Sequence, residues 1–489
     1  MSLVCRTLLV VVLLVDPVQA ADEVWLVGGG YDVRNSEAEI EQNVLWIQRI
    51  VQERAPDARL HVYFTDADDP WPDVKVWRPA PDGVGSMQPL ARVFDTYYLN
   101  GESFRNHRVP KVEGKATAEA VSHGLSRDIS HLHAGDHGLL IYLGHGSQGE
   151  VEQGGNRLDL WGNSELTASD LQALFSAAEP GVQLRFVLTQ CYAGGFYRLV
   201  EASGVSGSED TRAERCGFMA VPADEPAEGC TAGLDNGDYR GYSSYFFAAL
   251  EGRNRDDAAL LAAPDRNGDG QVTLLEAHLY ALRAARSTDL PLATSEQFLL
   301  DWSPWYLPLL PVKDEVDNAY RQIAAQLADD LEQENAWLLG VEPEGSARTA
   351  LAREMDRLQA EQQKIQASIT DIRLRLRAAL EARWPEVLVG HTQAYREFLE
   401  RDLGSAQAYI LSHPDYPQLK MQQDAYWALD RQILAQERRL RQLDRIEHLQ
   451  TLARLRDSLR RYGSEAARAA YERLRKCEDQ PLQASVELR

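Results

Sequence analysis

Two apolar runs in this chain each end on a residue able to do acyl-transfer chemistry. LLIYLGHGSQG carries His145 and LRFVLTQCYAGGF carries Cys191. A thiol becomes an effective nucleophile when a neighbouring imidazole takes or stabilises its proton, so the pair has the composition of a cysteine hydrolase. Such a reaction also needs donors for the developing oxyanion. The backbone amides of Gly146 and of Cys191 itself are candidates, because glycine lets a substrate carbonyl come close to the main chain. Gly194 and Gly195 leave the thiol side of the turn unobstructed.

The elements that must position these residues can be read from pattern. Apolar runs of four to eight residues closed by Gly-rich punctuation predict parallel core strands, and in open α/β sheets chemistry sits at the carboxyl ends of such strands. EVWLVGGG, LHVYFTD and CGFMAVPA read as further strands, with a helix over residues 37–53. Between the two key strands, LTASDLQALFSAA opens with Thr167 and Asp170 in capping-box positions. A right-handed helical crossover there sets the two strands parallel and brings His145 near Cys191. The expected fold class is α/β: a doubly wound, mostly parallel sheet flanked by helices over residues 21–311. An all-α region of long antiparallel helices follows over residues 312–489. Its seams are Leu351, Met355, Leu358, Ile365, Ile369, Ile372 and Leu376, then Leu429, Ile433, Leu440, Leu443, Ile446, Leu452, Leu455 and Leu459. They suit helices that pack together, with stops at Trp384-Pro385 and His413-Pro414. The same seams would serve self-association or recruitment of a protein partner.

At 489 residues the chain exceeds what one hydrophobic core usually supports. A net charge of −23 argues against nucleic acid as a partner, since phosphate contacts need clustered Lys and Arg. Residues 1–20 combine Arg6, an apolar stretch and Val18-Gln19-Ala20, the pattern of a cleaved export signal. No later run is long and apolar enough to span a membrane, so the mature chain is expected in a periplasmic or extracellular space. Of five cysteines, Cys5 leaves with the signal. In an oxidising compartment Cys216 and Cys230 are either a short-loop disulfide or two separate thiols.

PDRNGDGQVTLLEAH fits a twelve-residue calcium loop. Asp265, Asn267 and Asp269 take positions one, three and five, Gly270 the sharp turn, and Glu276 position twelve. Gln271 would give its carbonyl, and Thr273 would act directly or through water. Either the loop holds a structural Ca²⁺ or it is an Asp/Asn/Gly turn without metal.

The order of the motifs, an apolar run into His-Gly and a second into Gln-Cys, resembles the caspase-like cysteine peptidases. DHGLLIYLGHGSQG is most similar to the legumain branch, and the likeness spans residues 23–311, leaving the helical arm unmatched. The resemblance implies a caspase-like sheet, peptide-bond hydrolysis through a thioester, Cys191 as nucleophile and His145 as general base or proton donor. Where legumains have an Asn near the end of the first strand, this chain reads GGGYDVRN, with Asn35 several residues late. In related peptidases the loop after the next strand builds the specificity pocket, and here it carries Asp224, Glu225, Glu228, Asp235 and Asp238. These carboxylates would favour Lys or Arg before the scissile bond, although Asp238 resembles a pocket Asp of legumains, which select Asn. The expectation is therefore an exported cysteine endopeptidase acting on polypeptide. A catalytically degenerate scaffold that recruits partners through its arm is the alternative. Residues 201–214 read as an exposed loop, and because caspase-like enzymes often mature by cutting such a loop or an adjoining arm, the resemblance implies self-cleavage at Arg212 or Arg215.

Overall fold

The computed structural model describes residues 21–78, 87–94, 101–150, 154–201, 213–229, 239–307, 310–311, 313, 315–334, 344–390 and 392–483. Residues 1–20, where an export signal is expected, and Cys230, Asp235, Asp238 and Arg212 lie outside the described residues. Along the chain come β1 (Asp22–Gly29), α1 (Ala38–Arg54), β2 (Arg59–Phe64), β3 (Val74–Trp77), α2 (Gln88–Phe94), β4 (Glu102–Arg105), α3 (Ala118–Ile129) and β5 (His137–Ser147). Next are β6 (Arg157–Leu160), β7 (Ser164–Thr167), α4 (Ala168–Phe175), β8 (Gln183–Leu188), β9 (Glu214–Met219), α5 (Tyr242–Glu251), α6 (Leu274–Ala284), β10 (Leu292–Ala293) and α7 (Thr294–Trp302). The remaining helices are α8 (Ala319–Glu334), α9 (Glu344–Glu381), α10 (Gln393–Arg401), α11 (Leu403–Ser412), α12 (Tyr416–Tyr462) and α13 (Glu465–Glu478).

The fold is mixed α/β, with a mostly parallel central sheet flanked by helices and an all-helical C-terminal region. The sheet order is β10-β9-β8-β5-β1-β2, parallel from β9 to β2, with β10 antiparallel at the edge. All eight residues of β1 are buried, as expected of a strand covered on both faces. The Thr167 and Asp170 capping box forms in both directions and starts α4, the helix leading into β8. Strand order reverses between β1 and β5, the kind of switch point where α/β sheets place ligands. β5 outlasts its neighbours: β8 pairs with it as far as Tyr142 and β1 as far as Gly144. Its overhang, His145 to Ser147, pairs instead with β6 of a small antiparallel hairpin.

In the helical region α9 ends before Trp384 and α11 ends before His413, matching the expected stops. α9 and α12 run antiparallel, as the Arg348–Asp444, Gln362–Asp430 and Arg375–Asp415 pairs require. Leu358, Ile369, Ile372 and Leu376 of the first seam are buried. The change of composition near residue 312 is not a gap in packing. Ile446, Leu452, Leu455 and Leu459 of α12 join the same core as the sheet, and Leu90 and Val93 of α2 join the helical cluster around Ile369 and Leu376. A disulfide locks this arrangement: Cys216 of β9 bonds Cys477 of α13, 261 residues away. The expected choice between a Cys216–Cys230 bond and two free thiols is thus corrected, because α13 packs on β9 and brings Cys477 to a Cα separation of 6.0 Å. Among the described residues no helix is long and apolar enough to cross a membrane.

Candidate active site

His145 is the first residue of the β5 overhang and is held from one side only. Its Nε2 lies 2.9 Å from the Asn35 carbonyl oxygen and 3.0 Å from Glu37 Oε2. Both partners are acceptors, so Nε2 carries a proton and Nδ1 is the nitrogen left to exchange one with a thiol. Glu37 precedes α1 as its N-cap residue without making a side-chain cap bond, and its other oxygen is 2.7 Å from Lys75 Nζ. Burial pulls the His145 pKa down, but the Glu37 hydrogen bond and charge and the Asn35 carbonyl leave it above its ordinary value. Burial likewise pushes Glu37 up, and His145 with Lys75 brings it below the usual range. The edge of Tyr31 packs on the imidazole, with ring centroids 5.9 Å apart.

Cys191 follows the carboxyl end of the adjacent parallel strand, β8. β5 and β8 pair with a constant offset, His137 with Gln183 through Tyr142 with Leu188, and that offset of 46 residues also separates His145 from Cys191. The Thr189 amide carries the ladder one step further, to the Tyr142 carbonyl. The chain then turns sharply: Tyr192 adopts φ 60°, a left-handed conformation unusual for a non-glycine residue and a frequent mark of functional turns. Gly146 is what allows the turn to lie against β5, since a Cβ there would stand 2.5 Å from the Cys191 carbonyl oxygen. Gly146 thus serves close approach of the two motifs and pairs with Leu158 in the β5–β6 ladder.

Among the described residues sulfur and imidazole form no direct hydrogen bond; Cys191 Sγ accepts instead from the Ala227 amide at 3.3 Å. Burial raises the thiol pKa, the Ala227 amide opposes that rise, and the charges of Asp289 and Asp159 add to it. Cys191 is the free cysteine of the described residues. Residues 222–229 cover it: the Tyr192 amide donates to the Glu225 carbonyl, and Asn156 Nδ2 donates to the Ala223 carbonyl. α12 fastens this cover, with Arg441 on Glu225 at 2.7 Å and Arg438 on Glu228. The Glu228 amide donates to Asp289 Oδ1 at 2.6 Å from the other side.

The acidic loop is engaged in part by other elements of this chain. Asp224 is exposed and Glu225 is already paired with an arginine of this chain, while Asp238 is outside the described residues. Arg215 lies within β9, its backbone committed to the parallel ladder with β8, which makes it a poor cleavage point.

At the calcium-type loop Gly270 takes φ 85° as its position demands. The side chains behave differently. Asp265 accepts from the Gly268 and Gly270 amides, Asn267 from that of Asp269, and Asp269 from that of Gln271. Glu276 accepts from the Arg266, Asn267 and Thr273 amides and forms a capping box with Thr273 at the start of α6. The backbone suits a cation, whereas among the described residues no three His, Cys, Asp or Glu side chains converge as a metal site. No helix leads directly into the loop, since α5 ends at Glu251. Thr273 Oγ1 also donates to Asp479, tying the loop to the C-terminal segment.

Sequence reasoning missed Glu37, Lys75 and Asp159. It sought the Asn35 side chain, which is spent on Asp32, whereas the main-chain carbonyl of Asn35 does the positioning. The available signal was an acidic helix N-cap. No family model matches the chain, and no curated protein matches it. Among solved structures, protein GSU0716 from Geobacter sulfurreducens is similar over 56% of this chain and 92% of its own, at 14% identity and a TM-score of 0.34. A likeness of that size fixes neither fold nor activity.

Proposed function

We propose that the chain is an exported cysteine endopeptidase of caspase-like, legumain-like type, with Cys191 as nucleophile and His145 as its proton partner. One observation supports the reading: a free cysteine just beyond β8 and an oriented histidine just beyond the β5–β8 ladder follow adjacent parallel strands at their carboxyl ends, with the Cys191 carbonyl close against Gly146. Sulfur attacks the scissile carbonyl, and the thiol proton passes to His145 Nδ1 and then to the leaving amine as the C–N bond breaks. Water next hydrolyses the thioester, giving its proton to the same nitrogen and returning the thiol. The Gly146 and Cys191 amides are the oxyanion donors in this scheme. The Cys216–Cys477 disulfide supports an oxidising, extracytoplasmic location. Ca²⁺ belongs to the same proposal, held by Asp265, Asn267, Asp269, Gln271, Thr273 and Glu276 as a brace beside α6, on the strength of spacing and of the Gly270 turn.

The scaffold reading is favoured by two observations: the raised thiol pKa and the cover fastened by α12. A peptide-library cleavage assay beside Cys191→Ala, with and without Ca²⁺, separates the two. Cleavage that disappears in Cys191→Ala supports the peptidase; a wild-type protein that neither cleaves nor takes a thiol-directed peptide probe supports the scaffold. Chelation is expected to lower the melting temperature and activity together, and unchanged melting would remove calcium from the proposal.

A further inference from the structure

Asp159 occupies a position that the peptidase reading leaves unused. It sits on β6 directly opposite His145 in the antiparallel register, and opposed residues of such a pair place their side chains on the same face. Ser147, from the same overhang as His145, donates its hydroxyl to Asp159 Oδ2 at 2.7 Å and fixes the carboxylate. Among the described residues the other oxygen has no partner, and no Lys, Arg or His is within ion-pair distance.

That isolation is local and unusual. Glu37 is balanced by Lys75 and His145, Glu225 by Arg441, and Glu228 by Arg438. Asp289 is buried and spends its oxygens on the Glu228 and Tyr242 amides, while Asp32 caps the Arg34 and Asn35 amides. The field of Asp159 reaches both halves of the dyad and the Tyr31 ring packed on His145. An unbalanced anion there opposes thiolate formation, so a cation brought by the substrate would remove a cost at the moment it binds.

We propose that Asp159 is the subsite for a cationic group of the substrate, a lysine, arginine or other amine beside the bond that Cys191 attacks. This inference rests on the peptidase reading and replaces the loop carboxylates as the source of basic selectivity. Filling the subsite supplies the charge that the resting site lacks, which couples recognition to activation of the thiol.

The test compares peptides that differ only by lysine against norleucine at the positions flanking the scissile bond. Wild type is expected to prefer lysine at one of them by about tenfold or more in kcat/KM, and Asp159→Asn to lose most of that ratio through KM. Asp159→Lys is expected to shift preference toward a glutamate peptide. Iodoacetamide should also alkylate Cys191 of free Asp159→Asn faster than that of wild type at about neutral pH. A loss shared equally by the lysine and norleucine peptides, or a wild type without lysine preference, overturns the inference while leaving Cys191-dependent cleavage intact. Cleavage that persists in Cys191→Ala overturns the peptidase reading instead. If no peptide is cut, an alkylation rate that Asp159→Asn leaves unchanged overturns the inference as well.

Discussion

The two halves of the site are held by different physics. His145 is fixed by charge: a carboxylate, its lysine counter-ion and one carbonyl, all supplied from residues 35–75. Cys191 is fixed by neutral backbone contacts and by a cover that the helical region fastens through Arg438 and Arg441. The imidazole is thus organised within the sheet domain, while access to the sulfur is tied to residues more than 200 positions away. The difference teaches that orientation of the imidazole and exposure of the sulfur can be altered independently.

The largest expected effect lies on the sulfur side. Replacing Cys216 and Cys477 by Ser removes the bond between β9, which leads into the cover, and α13. A loss of about 2–4 kcal/mol is expected in denaturant unfolding, with faster alkylation of Cys191. Equal stability with and without the bond would show that packing of α13 alone holds the two regions.

On the imidazole side, Glu37→Gln keeps the shape and removes the charge. A fall in kcat of about ten- to a hundredfold with KM nearly constant is expected from steady-state kinetics. The sign of the pH effect follows from the raised His145 pKa. Stability from the protonated ring is fully present below its ordinary value of 6.5 and is lost as pH rises through the higher folded value. Melting curves across that window should show this decline weakened in Glu37→Gln, and an undiminished decline would assign it to other groups.

The smallest effect should come from Arg438→Ala with Arg441→Ala. These ion pairs are partly exposed, so stability should change by about 1 kcal/mol or less, while alkylation of Cys191 rises by a few-fold. If the rate stays constant, the cover is held by the Tyr192 and Asn156 hydrogen bonds and not by α12.

Much of the scaffold was legible because its signals are local. β1, β5, β8 and β9 are short apolar runs bounded by Gly or polar residues, and the α4 capping box is written within four residues. β6 and β7 escaped notice because RLDL and SELT are four-residue strands with only two buried residues in the first and one in the second. His145 and Cys191 were singled out from their place at the ends of apolar runs. Their surroundings were not, as the loop carboxylates show: acidity read from composition predicted a cation pocket, and arginines from α12 already neutralise Glu225 and Glu228.

The sequence by itself determined the parallel sheet, the crossover helix before β8 and the places of His145 and Cys191 after two apolar runs, since hydrophobic periodicity acts over a few residues. Only the tertiary structure decided that Glu37 holds His145 across 108 residues, that Cys216 bonds Cys477 and that Asp159 faces His145 across the β5–β6 ladder, bonded to Ser147. Charge compensation and sulfur pairing depend on distances in space, and separation along the chain carries almost none of that information.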